Sequence, residues 1–262
     1  MSIDFFIKNC GYEIEGFWIP RVTTITSIIS KPNLARFYAQ YPNIYAAQRA
    51  LLQSADWGQA THEALENVLR GEPFVIDPRV SPSVSAFRGW LQQHTVELLD
   101  TGDIERRVVD FENRYAGTID ILARVDGVIG VIDIKTGSGI WDEYYLQTAA
   151  YLNAYNKNVE ETRHGLTRWI LRVDQHQECL GCMAQRRDKD GTSRVTKGKK
   201  SCNHQWSSPK ADIEFKELDG YEQDLEAFLA AKQVWEWYNK KILKKIPIYP
   251  FSKKIYESIS ES

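Results

Sequence analysis

Gly117-Thr118-Ile119-Asp120-Ile121-Leu122-Ala123-Arg124-Val125 and Val128-Ile129-Gly130-Val131-Ile132-Asp133-Ile134-Lys135 are two β-rich runs separated only by Asp126-Gly127. Asp-Gly in that position is a strong signal for a two-residue hairpin, because both turn residues must adopt a positive φ. Such a turn pairs Val125 with Val128, and the same register then sets Asp120 opposite Asp133. Directly opposed Cβ atoms in a ladder lie roughly 4.5–5.5 Å apart. Lys135 follows Asp133 by two residues and so emerges on the same face. Both carboxylates have isoleucine neighbours, Ile119, Ile121, Ile132 and Ile134. Two opposed carboxylates in apolar surroundings repel and are costly to desolvate. One lysine offsets part of that cost. A divalent cation offsets more, and hard oxygen ligands suit Mg²⁺ or Mn²⁺.

Working outward, the first twenty residues, with Gly11 and Gly16, read as a short hairpin. Helical periodicity predicts helices over about 34–53, 55–70 and 84–98, with Gly71 and Pro73 stopping the second and Gly102 closing the third. Residues 104–109 read as a strand before the hairpin, and 142–155 as a helix after it. Residues 167–173 and 212–217 read as a further strand pair. Residues 221–241 form a last amphipathic helix with Leu225, Phe228, Trp235 and Tyr238 on its apolar side, followed by a basic tail. This order predicts one mixed α/β domain over 1–262: an N-terminal hairpin and helical part (1–100), a core (101–175), a cysteine-bearing insertion (176–208), and a final strand, helix and tail (209–262).

The chain has 33 Lys+Arg against 35 Asp+Glu, a formal charge of −2, which excludes a uniformly basic polycation. The total conceals segregation. Residues 183–201 carry +5, and residues 240–254 carry six lysines and no acid. No apolar run has the length of a membrane span, and the first ten residues lack the apolar stretch of a signal peptide. The expectation is a soluble, cytoplasmic protein of a bacterial, archaeal or phage-infected cell. Four cysteines are too few for a secreted disulfide scaffold.

Asp120 with Asp133-Ile134-Lys135 resembles the PD-(D/E)XK nuclease superfamily. Gly58-Gln59-Ala60-Thr61-His62 is similar to the G-x-x-x-H motif of its RecB-like exonuclease branch, and Gln147-Thr148-Ala149-Ala150-Tyr151 to its Q-x-x-x-Y motif. Val22-Thr23-Thr24-Ile25 resembles the opening of phage-type and mitochondrial-genome-maintenance-type exonucleases. The resemblance covers about Val22 to Tyr155. Asp133 stands where Glu is commoner, and Ile119 where the superfamily has proline. The resemblance implies a restriction-endonuclease-like core, a central mixed sheet flanked by helices. It implies Mg²⁺ or Mn²⁺ held by Asp120, Asp133, the Ile134 carbonyl and His62, with Lys135 steadying the attacking water and the phosphate. Gln147 and Tyr151 would line the site, and Glu105 is a weaker additional carboxylate. The implied reaction is phosphodiester hydrolysis on single-stranded DNA or DNA ends, in repair, recombination or phage replication, with partner proteins from those processes. The alternative is a nucleic-acid-binding protein that kept the fold and lost catalysis. A catalytic Cys/His zinc hydrolase is disfavoured, since neither H-E-x-x-H nor a deaminase signature is present.

Cys179-Leu180-Gly181-Cys182 and Cys202-Asn203-His204 together offer a Cys₃His set for structural Zn²⁺, with His176 as the substitute for His204. The rival is a [4Fe–4S] cluster on Cys10, Cys179, Cys182 and Cys202, as in CRISPR-associated members of the superfamily. Arg186, Arg187, Lys189, Arg194, Lys197, Lys199 and Lys200 lie between the cysteine segments and are expected to follow a phosphate backbone. Trp206 and the aromatics of 141–145 are expected to stack bases of a single strand.

Overall fold

The Asp126-Gly127 turn has φ of 49° and 93°, the positive pair that a tight hairpin needs. A computed structural model describes residues 2–29, 32–189, 191, 193–246 and 249. In chain order its first half comprises α1 (Ile3–Cys10), β1 (Gly11–Ile14), β2 (Phe17–Pro20), α2 (Val22–Thr26), α3 (Pro32–Tyr38), α4 (Ile44–Arg70), α5 (Ser81–Leu91), β3 (Val96–Glu97) and β4 (Ile104–Asp110). The second half comprises β5 (Tyr115–Val125), β6 (Val128–Lys135), α6 (Asp142–Asn156), β7 (Thr167–Glu178), β8 (Gln185–Arg187), β9 (Arg194–Thr196), β10 (Lys210–Glu217) and α7 (Tyr221–Leu243).

The result is a mixed α/β architecture with a central mixed sheet. β5 and β6 pair antiparallel, β6 and β7 parallel, and β10 returns antiparallel on β7. β3 and β4 pair with different stretches of β5. One face packs α1, α2, α6 and α7 through Phe6, Val22, Ile25, Tyr151, Tyr155, Phe228 and Trp235. The other packs α4 and α5 through Leu65, Val84, Phe87 and Trp90.

Four sequence expectations change. The N-terminal hairpin is confined to 11–20, because Ser2 caps α1 by accepting the Phe5 N–H and Phe6 buries that helix in the core. The helices expected over 34–53 and 55–70 are replaced by α3 and one continuous α4 of 27 residues, capped by Asn43 and ended by Gly71 at φ 69°. Ser54 and Asp56 are weak helix formers, not breakers, and the packing of Ala47, Ala50, Thr61 and Leu65 carries the helix through. The third helix stops at Leu91, because the Asp126 carboxylate accepts the Thr95 N–H and Val96 joins the sheet opposite Val125. Tyr238 is 77% exposed, since the buried stripe of α7 runs through Phe228, Ala231, Trp235 and Leu243. Lys240, Lys241, Lys244 and Lys245 are exposed at the end of α7, whereas Lys253 and Lys254 lie outside the described residues.

The hairpin ladder follows the expected register from Val125↔Val128 to Ile121↔Ile132 and stops there. Asp120 and Asp133 therefore do not form the directly paired rung that the register predicted. The reason is a break in β5. Ile119 packs in the first core, but Ile121, Ala123 and Val125 all pack in the second. At the position across from Asp120, Glu105 of β4 has φ 56°. Beyond the break, β6 continues its pairing with β7, Asp133 opposite Ile170 and Lys135 opposite Arg172.

Candidate metal and catalytic site

The break turns the Asp120 carboxylate onto the end of β6, where Oδ2 accepts the Ile134 N–H at 2.7 Å. Asp133 points from β6 toward α6 and is 1% exposed. Its Oδ1 accepts from Gln147 Nε2 at 3.0 Å, and the same amide donates to the Tyr151 hydroxyl at 3.0 Å. Gln147 and Tyr151 are four residues apart on α6, which places both on the helix face that meets Asp133. Asp133 Oδ2 is buried and faces the Lys135 ammonium, its ion-pair partner. Lys135 also lies over the Tyr144 ring, 4.8 Å from its centroid.

α4 supplies the opposite wall. His62 Nδ1 lies 3.5 Å from Asp120 Oδ2, and the Ile134 backbone also engages the ring. Gly58, one turn earlier, lets the helix approach the end of β6: a Cβ there would stand 3.2 Å from Thr136 Oγ1. Glu66, one turn later on the same face, is 6% exposed, accepts from Arg70 and lies close to the Glu105 charge. Sequence reasoning missed Glu66, although its spacing of four from His62 continues the stripe begun at Gly58.

Burial pushes Asp120 and Asp133 up to about 6, with Lys135 offsetting part of the effect. Burial and then the Glu105 charge push Glu66 to about 7. Burial, reinforced by Lys135, lowers His62 to about 4, so at neutral pH its imidazole is uncharged and able to act as a ligand. Asp120, Asp133, Glu66 and Glu105 thus share this wall, with Lys135 against Asp133 and Arg70 at 3.5 Å from Glu66. A buried carboxylate (Asp133), a part-buried one (Asp120) and a neutral imidazole are a donor set suited to Mg²⁺ or Mn²⁺.

Tyr151 is held by its neighbour as well as by Gln147. A Cβ on Gly117 would stand 2.2 Å from Tyr151 Cε1. Gly117→Ala is therefore expected to destabilise the protein by about 1–3 kcal/mol through overpacking. A thermal melt against wild type checks this, and an unchanged melt would show that the ring yields freely.

The Cys/His segments converge into a second centre. The ligand atoms of Cys179, Cys182, Cys202 and His204 all lie within 4.8 Å of one another. Cys179 Sγ and Cys202 Sγ are 3.8 Å apart, and Cys182 Sγ is 3.4 Å from His204 Nδ1. Two thiolates at roughly 2.3 Å from one tetrahedral ion would be separated by a similar distance. Desolvation opposes ionisation of Cys179, but the Gly181 amide, His204 and the Cys182 and Gln205 amides outweigh it and hold the thiol near 6. The group fits a structural metal. Cys10 is not part of it: it packs beside the Phe6 and Trp18 core at the end of α1. His176 is not part of it either, since its Nδ1 lies 3.0 Å from the Asp174 carbonyl.

The basic insertion is less outward-facing than expected. Arg187 forms a two-point ion pair with Asp174. Arg186 bonds Gln177 and lies 4.9 Å from the Trp206 ring, which itself packs 4.9 Å from His204. Lys189 reaches inward to the Thr136 carbonyl. Arg194 lies over Phe37, 4.5 Å from its centroid, and bonds Tyr41. These four therefore bind protein in this arrangement: Arg186 and Arg187 are held by acceptors on β7, Lys189 by the loop after β6, and Arg194 by Phe37 of α3 and Tyr41 beyond it. Lys197, Lys199 and Lys200 are exposed. No helix among the described residues is long and apolar enough to cross a membrane. Compared with known proteins, the chain matches no family model and no curated sequence.

Proposed function

We propose that the protein is a metal-dependent nuclease with a PD-(D/E)XK core, acting in a cytoplasm on single-stranded DNA or DNA ends. The observation that carries this reading is the convergence of Asp120, Asp133, Lys135 and neutral His62 at the end of β6. Asp120, Asp133, the Ile134 carbonyl and His62 would hold Mg²⁺ or Mn²⁺, with Glu66 and Glu105 adding negative charge on one side. The ion would polarise the phosphate and activate water. Lys135 supplies a fixed positive charge where negative charge develops, and Gln147 and Tyr151 fix the Asp133 carboxylate. Cys179, Cys182, Cys202 and His204 would hold structural Zn²⁺, the thiolate-plus-imidazole set that zinc prefers.

A single strand suits the surroundings. A groove of about 630 Å³ runs between the α3–α4 turn and the insertion, lined by Tyr41, Arg49, Gln53 and Arg194. Gln53 precedes His62 by nine residues, roughly 14 Å along α4 and about half a turn around it, so a strand in the groove would cross α4 to reach the site. Aromatic and guanidinium groups can stack bases, and the exposed lysines add attraction to phosphate. Partners in recombination or replication would deliver such ends.

The test is cleavage of labelled single-stranded and duplex DNA with Mg²⁺ or Mn²⁺, wild type against Lys135→Ala. Wild type should degrade DNA and the variant should lose roughly 10²–10³-fold or more, the scale for removing one preorganised charge. Binding without metal-dependent cleavage in wild type would instead support the non-catalytic DNA-binding reading.

A further inference from the structure

Lys135 ends β6, and the chain leaves the sheet at Thr136. What holds that exit comes from distant parts of the sequence. Gly58 of α4 faces the Thr136 side chain. Arg172 Nη1 lies 3.4 Å from the Gly137 carbonyl. The Lys189 ammonium donates to the Thr136 carbonyl, across 53 residues of sequence. This is the carbonyl of the residue that follows the catalytic lysine.

Lys189 follows a strand that the Cys/His segments bracket in sequence. It lies two residues after β8, whose short pairing to β7 is Gln177↔Arg186 and Glu178↔Gln185. Cys179 follows that pairing immediately, and its N–H donates to the Ala184 carbonyl at 2.8 Å, just before β8 begins. Gly198 closes against the same knuckle, where a Cβ would stand 2.9 Å from Cys182 Sγ. β8 pairs with two residues of β7 and three of β9, so its anchorage is short, and a bound ion that cross-links Cys179, Cys182, Cys202 and His204 would tie both ends of the β8–β9 hairpin to β7. Arg187 then pins the strand to Asp174, and Lys189 extends past it to Thr136.

We propose that Lys189 is a positioning residue for Lys135 and couples occupancy of the Cys/His centre to the order of the loop after β6. The consequence for catalysis rests on the nuclease reading of Lys135; the coupling itself does not. A lysine used for phosphate contact would behave differently. Its removal would weaken DNA binding and reduce the salt slope by about 1, with the loop unaffected.

The test uses the full chain and Lys189→Met, which removes the ammonium and keeps the stem. Hydrogen exchange at residues 136–139 should accelerate roughly tenfold, the scale of losing one charge-assisted hydrogen bond, with the thermal melt little changed. In cleavage assays kcat should fall roughly tenfold while KM and the salt dependence of DNA affinity stay at wild-type values. Stripping the Cys/His metal from wild type with 1,10-phenanthroline should accelerate exchange at the same residues, and should add nothing further at them in Lys189→Met. Unchanged exchange at 136–139 in the variant would overturn the proposal, whether or not DNA affinity falls. Additive effects of the chelator and the substitution would overturn the coupling. If wild type cleaves DNA but exchange does not respond, the coupling fails and the nuclease reading stands. If exchange responds as expected but wild type cleaves nothing, the coupling stands and the nuclease reading fails.

Discussion

Asp120→Asn is expected to remove cleavage by at least roughly 10²–10³-fold while leaving the metal-free fold as stable as wild type or more so. The two effects have one cause. Asp120 is ionised only at a cost, since burial raises its carboxyl from the ordinary 3.8 to about 6. Asn keeps an oxygen that can accept the Ile134 N–H and discards the charge. The sign of the pH dependence follows. A carboxyl whose folded pKa lies above its unfolded value binds protons more tightly when folded. Its stabilising contribution is complete below about 4 and is lost as pH rises through about 6, and Asp133 behaves alike. Metal-free wild type should therefore carry this penalty at pH 8 and be relieved of it near pH 4. Mn²⁺ should raise the melting temperature more at pH 8 than at pH 5, because protons compete for the same oxygens. Thermal melts with and without Mn²⁺ at both pH values check this. Retained cleavage in Asp120→Asn, or a Mn²⁺ shift that is no larger at pH 8, would count against the site.

Cys202→Ser is expected to open the insertion while the central sheet stays folded. The wild-type protein as purified should be colourless and contain close to one equivalent of zinc by elemental analysis, which the variant should lack. Structural zinc contributes apparent free energies of about 10–16 kcal/mol in small finger peptides. Here it would act on a segment whose described residues after β7 form two three-residue strands, β8 and β9. Cleavage by trypsin at Lys197, Lys199 and Lys200 should accelerate by roughly 100-fold or more, since local opening replaces an ordered loop. The β5–β6–β7 core, with its own buried residues, should resist. A brown, iron-containing wild type would replace zinc with a cluster. A variant as resistant to trypsin as wild type would show that the loop is ordered without metal.

What could be read in advance follows from how local each determinant is. The turn at Asp126-Gly127 and the register beside it depend on two residues and their neighbours, so the ladder from Val125↔Val128 was legible. So were the Gly58–His62 and Gln147–Tyr151 pairs, whose spacing of four sets one helix face in any context. The break at Asp120 was not legible, because it depends on Glu105 of another strand holding a positive φ. Glu66 was missed for a related reason. Its position on the stripe is local, but its meaning comes from Glu105 and Asp120 opposite.

The basic insertion marks the same boundary most sharply. Residue order alone specifies the hairpin, the acidic pair with its lysine, and a Cys₃His set whose spacing suits a metal. It also determined how many positive charges lie between the cysteines. Where those charges point is set by the folded surroundings. Asp174 lies on β7 and the Thr136 carbonyl beyond β6, and each captures a cation that would otherwise face water. A charge-assisted hydrogen bond to a partly buried acceptor is strong but non-local, so its partner is chosen by the fold and cannot be read from the residue that makes it.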